Sequence, residues 1–213
     1  MIQFIISTKL LILCLTLGLL SACQEAPRYT PLNTGTVVMA FGDSVTYGVG
    51  AAKGEDYPTL LAQKTGWHVV NAGISGDTAQ NARSRIGREL STHQPGLVLI
   101  ELGGNDFLRK RPATAVKSDL QSIIDESLAS GAITVLVAVP RLSMLRASIG
   151  ALSDSPIYAE LAEENNLVLI ENVFSEILSE ENLLADRIHP NAEGYRQFAE
   201  GIVESLSEVG LTP

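Results

Sequence analysis

Short aliphatic runs alternate along this chain with longer segments of helical periodicity, and this alternation limits its fold more than any other feature. Five apolar runs have the length and composition of buried strands: Val37–Phe41, Trp67–Asn71, Leu97–Leu102, Ile133–Val139 and Leu167–Ile170. Five segments repeat apolar residues three and four positions apart, as helices do: Tyr57–Thr65, Thr78–Thr92, Ala113–Ser130, Ile157–Glu164 and Asn191–Val209. Alternation with right-handed crossovers builds a parallel sheet covered by helices on both faces. The sequence therefore predicts one three-layer α/β/α sandwich with a five-stranded parallel sheet, whose functional loops lie at the carboxyl ends of the strands.

The size and charge of the chain limit how many domains it can form and which partners it can bind. Its 213 residues suit one domain, and no repeat or second composition regime marks another. Lys and Arg total 15 against 24 Asp and Glu, which gives a formal net charge of −9. An acidic chain without a basic stripe repels phosphate backbones, so we expect no nucleic-acid partner. No clustered ligand spacing indicates a metal or other cofactor, and we expect a monomer.

The first 22 residues have the pattern of an export signal. Residues Leu10–Leu20 are uncharged and mostly apolar behind Lys9, and this run is shorter than the roughly 20 residues of a membrane-spanning helix. The following tetrad, Leu20-Ser21-Ala22-Cys23, resembles the bacterial lipobox, in which cleavage before the cysteine leaves an acylated N-terminus. We therefore expect residues 1–22 to be a lipoprotein signal peptide and Cys23 to be lipidated. An uncleaved anchor and an ordinary signal peptidase site remain alternatives.

The residues after the signal divide into a linker and a folded domain. Residues 24–35 carry two prolines and no periodicity, so residues 23–35 are predicted to be the lipidated cysteine with a flexible tether. The folded domain is predicted to span residues 36–213. Gln24 after the cysteine favours the periplasmic face of the outer membrane, by resemblance to lipoproteins of Gram-negative bacteria. With Cys14 removed and Cys23 acylated, no thiol is left for redox or metal chemistry.

One serine and one histidine stand out at the predicted strand ends. Ser44 follows the first strand within Gly42-Asp43-Ser44, on what is expected to be a tight turn. A serine hydroxyl becomes a nucleophile only when a base lies within hydrogen-bond reach and a third group orients that base. Among the three histidines, only His189 has a carboxylate at matching local spacing, that of Asp186. The sequence therefore indicates Ser44, His189 and Asp186 as a candidate catalytic set.

Two further strand ends offer hydrogen-bond donors for an oxyanion. Gly76 lies after the second predicted strand, and Asn105 lies after the third within Gly103-Gly104-Asn105-Asp106. A backbone N–H at glycine and an asparagine side-chain amide both fit this role. Each site residue taken alone also has a structural explanation as a helix cap, a turn or a positive-φ position. Asp43 is interpreted as a turn residue, and Asp106 as mostly structural.

The four short motifs GDS, SGD, GGND and DxxH, in this order, resemble the four blocks of the SGNH hydrolase superfamily, the GDSL-type lipases and esterases. Their flanking residues are most similar to the bacterial arylesterase, lysophospholipase and acyl-CoA thioesterase branch. The resemblance implies a flavodoxin-like fold, with Ser44 as nucleophile, His189 as base and Asp186 as its orienting group. It implies that Gly76 and Asn105, together with the Ser44 amide, are the oxyanion donors. Val45 stands where the namesake motif has Leu, which leaves the chemistry unchanged.

The substrate is less strongly indicated than the chemistry. The resemblance and the expected membrane anchor favour aryl esters, short to medium acyl esters and lysophospholipids, with thioesters as a further class. Apolar residues near two strand ends either line an acyl groove or cover the end of the sheet: Phe107, Leu108, Leu142–Leu145, Ile149 and Leu152. Two alternatives stay open, a carbohydrate O-deacetylase of the same fold and a non-catalytic envelope lipoprotein.

Overall fold

Five parallel strands form the centre of the fold. The computed structural model describes residues 28–141 and 152–213. The strands are β1 Val37–Gly42, β2 His68–Gly73, β3 Leu97–Glu101, β4 Ile133–Val137 and β5 Val168–Ile170. They pair in the order β2-β1-β3-β4-β5, and every pair is parallel. Each residue of β3 is buried, as expected for a central strand covered on both faces. The predicted three-layer α/β architecture is confirmed.

Nine helices in the described ranges cover this sheet. They are α1 Ser44–Tyr47, α2 Tyr57–Thr65, α3 Ala79–Ala82, α4 Ile86–His93, α5 Gly104–Leu108, α6 Ala113–Ala129, α7 Ile157–Asn165, α8 Val173–Ser179 and α9 Ala192–Glu208. Helix α9 packs with α2 and α8, whereas α6 packs with α3, α4 and α7, which gives two helical groups. None of the helices in residues 28–141 and 152–213 combines the length and hydropathy needed to cross a membrane.

The predicted helix Thr78–Thr92 is wrong as a single element. The segment forms two helices, α3 and α4, because the chain turns between them at Arg85. The Arg85 side chain reaches the carboxyl edge of the sheet, where it donates to the Asp77 carboxylate at 2.9 Å. It also donates to the carbonyls of Gly42 and Ala72, each at 2.9 Å. These bonds tie the ends of β1 and β2 together.

Three short helices, α1, α5 and α8, were not predicted from the sequence. They have four to seven residues each, which is too few to show a helical repeat of apolar positions. Helix α1 begins at Ser44 and α5 contains Asn105. The tight turn expected at Ser44 and the loop expected around Asn105 are therefore each about one turn of helix.

The described part of the predicted tether lies against the domain. The amides of Tyr29 and Leu32 donate to the carbonyls of Val209 and Leu211, at 3.0 and 2.9 Å. The Arg28 side chain also donates to the Asn166 carbonyl. These hydrogen bonds hold the described part of the predicted tether, residues 23–35, against the domain. Cys23, the signal segment, Leu142–Leu145 and Ile149 lie outside the described residues.

The strand order places a crevice between β1 and β3. In a parallel sheet of order 2-1-3-4-5, the connections leave in opposite directions from this point, and ligands bind at the carboxyl ends of the two strands. Gly42 at the end of β1 allows the close packing that this edge requires. A Cβ atom at Gly42 would lie 1.9 Å from Thr46 Oγ1 and 2.6 Å from the Glu101 carbonyl oxygen. Only glycine lets α1, and with it Ser44, begin so close to β3.

Candidate active site

A continuous chain of hydrogen bonds joins Ser44, His189 and Asp186. Ser44 Oγ lies 2.9 Å from His189 Nε2, and His189 Nδ1 lies 2.8 Å from Asp186 Oδ2. An ionised carboxylate only accepts hydrogen bonds, so Nδ1 carries the ring proton of the neutral histidine. Nε2 is then left to accept from the serine hydroxyl. The structure therefore brings these three residues together, although Ser44 and His189 are 145 positions apart in the sequence.

The loop before α9 positions the Asp186 carboxylate and favours its charged form. Its Oδ1 accepts from the amides of Ile188 and His189, each at 2.9 Å. The Ala185 amide donates to the His189 carbonyl at 2.9 Å, which closes the loop. Partial burial raises the pKa of Asp186, but the bonds from the His189 ring and from the two amides outweigh it and hold this pKa below its ordinary value. Asp186 is therefore an anion at neutral pH.

Asn105 is bonded to Asp43, the residue that precedes Ser44 in the chain. Asn105 Nδ2 donates to Asp43 Oδ2 at 2.9 Å, and the Val45 amide donates to Asp43 Oδ1 at 3.0 Å. Asp43 is only 3% exposed. Burial raises its pKa to about 6, even though both hydrogen bonds and the nearby His189 favour the charged form. The sequence pattern assigned Asp43 to a turn, because nothing local reveals a contact between residues 62 positions apart.

A second buried acid, Glu101, lies at the end of β3. Its side chain is almost fully buried, and its Oε2 accepts from Thr46 Oγ1 at 3.0 Å. Thr46 Oγ1 also lies 2.9 Å from the Tyr57 hydroxyl. Burial, followed by the charge on Asp43, raises the pKa of Glu101 well above its ordinary value. Burial therefore disfavours the charged form of Glu101, an acid that was not singled out from the sequence.

Gly76 lies at the same edge of the sheet, three residues beyond β2. Its φ of +79° is left-handed, a conformation that favours glycine. The Arg109 side chain donates to the Gly76 carbonyl at 3.1 Å, and the buried pair Arg85–Asp77 supports the next residue of the loop. The described contacts join Gly76 to the α5 side of the edge and do not join it to Ser44 directly.

A small cleft opens beside Ser44, Asn105 and His189. Its apolar lining comes from Val45, Leu108, Phe174 and Ile188. Of the residues expected to line an acyl groove, Leu108 does so. Phe107 is instead 7% exposed within the core. Leu152 lies against α8, where its amide donates to Ser179 Oγ at 2.8 Å.

The sheet order and the contacts of Ser44 with His189 define the class: this is a hydrolase of the SGNH type. More closely, the chain belongs to the GDSL-like lipase/acylhydrolase family, whose family model matches residues 40–197. It is therefore a hydrolase that acts on esters.

Known proteins of this family resemble the chain over most of its length. It is 33% identical over 177 residues to thioesterase 1/protease 1/lysophospholipase L1 of Escherichia coli K12, covering 79% of this chain and 82% of that protein. It is 31% identical over 175 residues to an arylesterase of Vibrio mimicus, covering 79% of this chain and 87% of that protein. The crystal structure of TesA superposes with a TM-score of 0.72 at 25% identity, covering 82% of this chain and 99% of that one.

Proposed function

We propose that this chain is a serine esterase that hydrolyses carboxylic esters through an acyl-enzyme on Ser44. The observation that carries the proposal is the Ser44–His189–Asp186 chain of bonds, with 2.9 and 2.8 Å between successive heavy atoms. A serine hydroxyl bonded to a neutral imidazole, itself oriented by a carboxylate, is the arrangement that activates a serine nucleophile.

The first half of the reaction acylates the serine. His189 Nε2 takes the hydroxyl proton as Ser44 Oγ bonds to the ester carbonyl carbon, and the carbonyl electrons move onto its oxygen. The amides of Ser44 and Gly76 and the side chain of Asn105 donate to this oxyanion. When the carbonyl re-forms, the bond to the leaving group breaks, and His189 gives that group the proton. Asp186 stabilises the imidazolium throughout without accepting its proton.

The second half repeats these steps with water. His189 takes a proton from water as the water oxygen bonds to the acyl carbon, and the same donors hold the new oxyanion. Collapse breaks the bond to Ser44 Oγ, which recovers the proton from His189. The products are a carboxylic acid and an alcohol, and neither a metal nor a redox cofactor takes part in this proposed cycle.

The proposed substrates are aryl esters, short to medium acyl esters and lysophospholipids, with thioesters as a further class. Support comes from the names of the relatives, which include a thioesterase/lysophospholipase and an arylesterase. The lining of Leu108, Phe174 and Ile188 beside Ser44 suits an acyl chain better than a polyol. A non-catalytic envelope protein would need none of the Ser44–His189–Asp186 geometry.

We also propose that the protein is a lipoprotein of the cell envelope, anchored through Cys23 at the periplasmic face of the outer membrane. The support is the Leu20-Ser21-Ala22-Cys23 tetrad behind an apolar segment. Cells expressing the chain and grown with radiolabelled palmitate should yield a labelled protein, and Cys23→Ala should lose the label. A labelled Cys23→Ala protein would rule out this anchor.

Hydrolysis of p-nitrophenyl esters from acetate to palmitate tests the proposed activity. The purified full-length chain should hydrolyse several of these esters, whereas Ser44→Ala should have no acyl-enzyme activity. Ser91→Ala, an exposed serine that donates to the Arg88 carbonyl of α4, is the matched control and should retain the full rate. Activity in Ser44→Ala equal to the parent would contradict the mechanism.

The chain-length profile separates the alternative substrates. An optimum at four or more acyl carbons supports an acyl esterase, and a rate that is highest for acetate supports a carbohydrate O-deacetylase.

In the same assay, Asn105→Ala should lower kcat about a hundredfold to a thousandfold, the usual cost of one oxyanion donor. A parental rate for Asn105→Ala would show that the oxyanion is held elsewhere.

A further inference from the structure

The carboxylate of Asp43 is occupied on both oxygens. Oδ1 accepts from the Val45 amide, as an N-cap of α1, and Oδ2 accepts from Asn105 Nδ2. The two bonds have different consequences. The first holds the backbone at the start of α1, and the second crosses from β1 to the helix that follows β3.

The bond from Asp43 fixes which way the Asn105 amide faces. An asparagine side chain has two N–H donors on one atom and an acceptor on the other. A carboxylate on one side of this group favours the donor atom there, because the amide oxygen would face a negative oxygen if it were flipped. With one N–H on Asp43, the second N–H of the same nitrogen is left for another acceptor. Asp43, Asn105 and Ser44 all line the cleft in which the ester carbonyl would lie.

We propose that Asp43 is a positioning residue, whose carboxylate holds the Asn105 side-chain amide in the orientation that presents its second N–H to the oxyanion. This inference rests on the proposed function and adds a residue to it. Asp43 itself does not touch the reacting atoms. Its effect on the reaction passes through Asn105.

The energetics favour this role over that of a simple helix cap. Keeping a carboxylate charged at 3% exposure is costly, and this cost is visible in its raised pKa. An N-cap at a serine, threonine or asparagine would serve the Val45 amide without a buried charge. Glu101 gives the contrast, because it is an equally buried acid at this edge that contacts Thr46, and burial with the charge on Asp43 raises its pKa well above the ordinary value. A charge is maintained at the acid that contacts Asn105.

Two substitutions of Asp43 separate the cap from the contact with Asn105. Asp43→Asn has the same shape, but its single amide oxygen can accept from Val45 or from Asn105 and not from both. Asp43→Ser retains an oxygen for the Val45 amide and is too short to replace the second one. Glu101→Gln is the matched control, because it changes a buried acid at this edge and leaves Asp43 and Asn105 in place.

Steady-state kinetics on the full-length chain, with a p-nitrophenyl ester, test the proposal. Both Asp43→Asn and Asp43→Ser should lower kcat about tenfold to a hundredfold, since a misplaced donor loses most of its effect. KM should change less than about threefold, and Glu101→Gln should keep kcat within about twofold of the parent. In the Asn105→Ala background, adding Asp43→Ser should cost no more than about a further twofold, because the amide on which it acts is gone.

Three results would overturn the inference. Asp43→Ser with the parental kcat would show that only the cap matters. If the kcat losses of Asn105→Ala and Asp43→Ser multiply in the double variant, Asp43 acts independently of Asn105. A parental rate for Asn105→Ala would remove the group through which Asp43 is said to act. Ser44→Ala in the same assay keeps the two proposals apart, since its loss of activity upholds the serine mechanism whatever the Asp43 variants show.

Discussion

Two carboxylates, those of Asp186 and Asp43, lie next to the Ser44–His189 pair, and their environments differ. The Asp186 side chain is 54% exposed, and hydrogen bonds keep its pKa below the ordinary value. Asp43 is 3% exposed, and burial raises its pKa to about 6. Each accepts one bond from a side chain and at least one from a backbone amide. The same chemical group thus bonds to an imidazole from an exposed loop position, and to a half-buried carboxamide from a buried position.

The difference shows how stability and function are divided between the two regions. A loop carboxylate in contact with water is charged at little cost, so Asp186 can stabilise an imidazolium without weakening the fold. A buried carboxylate is charged at the expense of the fold. Substitutions on the two sides should therefore differ in their effects on turnover and on the pH dependence of stability.

His189→Ala should have the largest effect, because it removes the group that faces both Ser44 and Asp186. Loss of the base in a serine triad lowers kcat about a millionfold, and we expect a loss of this order here. Stopped-flow release of p-nitrophenol measures it, with circular dichroism as the control for folding. A loss of less than about a hundredfold would mean that His189 is not the base.

Asp186→Asn should come next and sharpen the comparison with Asp43. An amide in place of the carboxylate leaves the geometry but disturbs the tautomer of His189, which costs about ten thousandfold in kcat in a serine protease. We expect about a thousandfold to ten thousandfold loss of kcat here, clearly more than for Asp43→Asn. The comparison is made at one pH with the same ester, and it fails if Asp43→Asn is the more damaging change.

The pH dependence of stability should show the smallest effect, and its sign should be opposite for Asp43 and Asp186. The folded-state pKa of Asp43 is about 6 against an ordinary 3.8, so the folded protein binds more protons between these values. The free energy of unfolding that Asp43 contributes therefore falls as pH rises through this window, by up to about 3 kcal/mol. The pKa of Asp186 is lowered, so its contribution is present at neutral pH and is lost only as pH falls below its ordinary value.

Urea unfolding from about pH 4 to about pH 7 measures this difference. The stability of the parent minus that of Asp43→Asn should fall by about 1–3 kcal/mol over this range. The charges of Asp77, His189 and Glu101 act on Asp43, so the parent and Asp43→Asn are also compared in a Glu101→Gln background. Parallel stability curves for the parent and Asp43→Asn would mean that Asp43 does not titrate in this window.

The fold was largely predictable because its signals are local. Buried strands such as β3 are continuous aliphatic runs, and α2 has the bounds predicted, since Asp56 caps its start and Gly66 ends it in a left-handed conformation. The break between α3 and α4 was not predictable, because it depends on Arg85 reaching strand ends that lie up to 43 positions away. Helices as short as α1 carry no periodic signal at all.

In the candidate site, too, the residues with a local sequence signal were predictable and the others were not. Asp186 was found because it lies three residues before His189 and the spacing itself is informative. The sequence predicts only a turn at Asp43, because its partner Asn105 is brought to it by the order of β1 and β3 in the sheet. Glu101 appears in the sequence as the polar end of an aliphatic run, and only the packing of Thr46 against it reveals a buried acid.

Labelling with a fluorophosphonate tests the central claim most directly, because such reagents phosphonylate an activated serine. The full-length chain should take up one label, mapped by peptide mass spectrometry to Ser44, with ester hydrolysis lost in parallel. Ser44→Ala should take up none, and His189→Ala should react far more slowly. Label on another serine, or full hydrolysis by an unlabelled protein, would contradict an acyl-enzyme on Ser44.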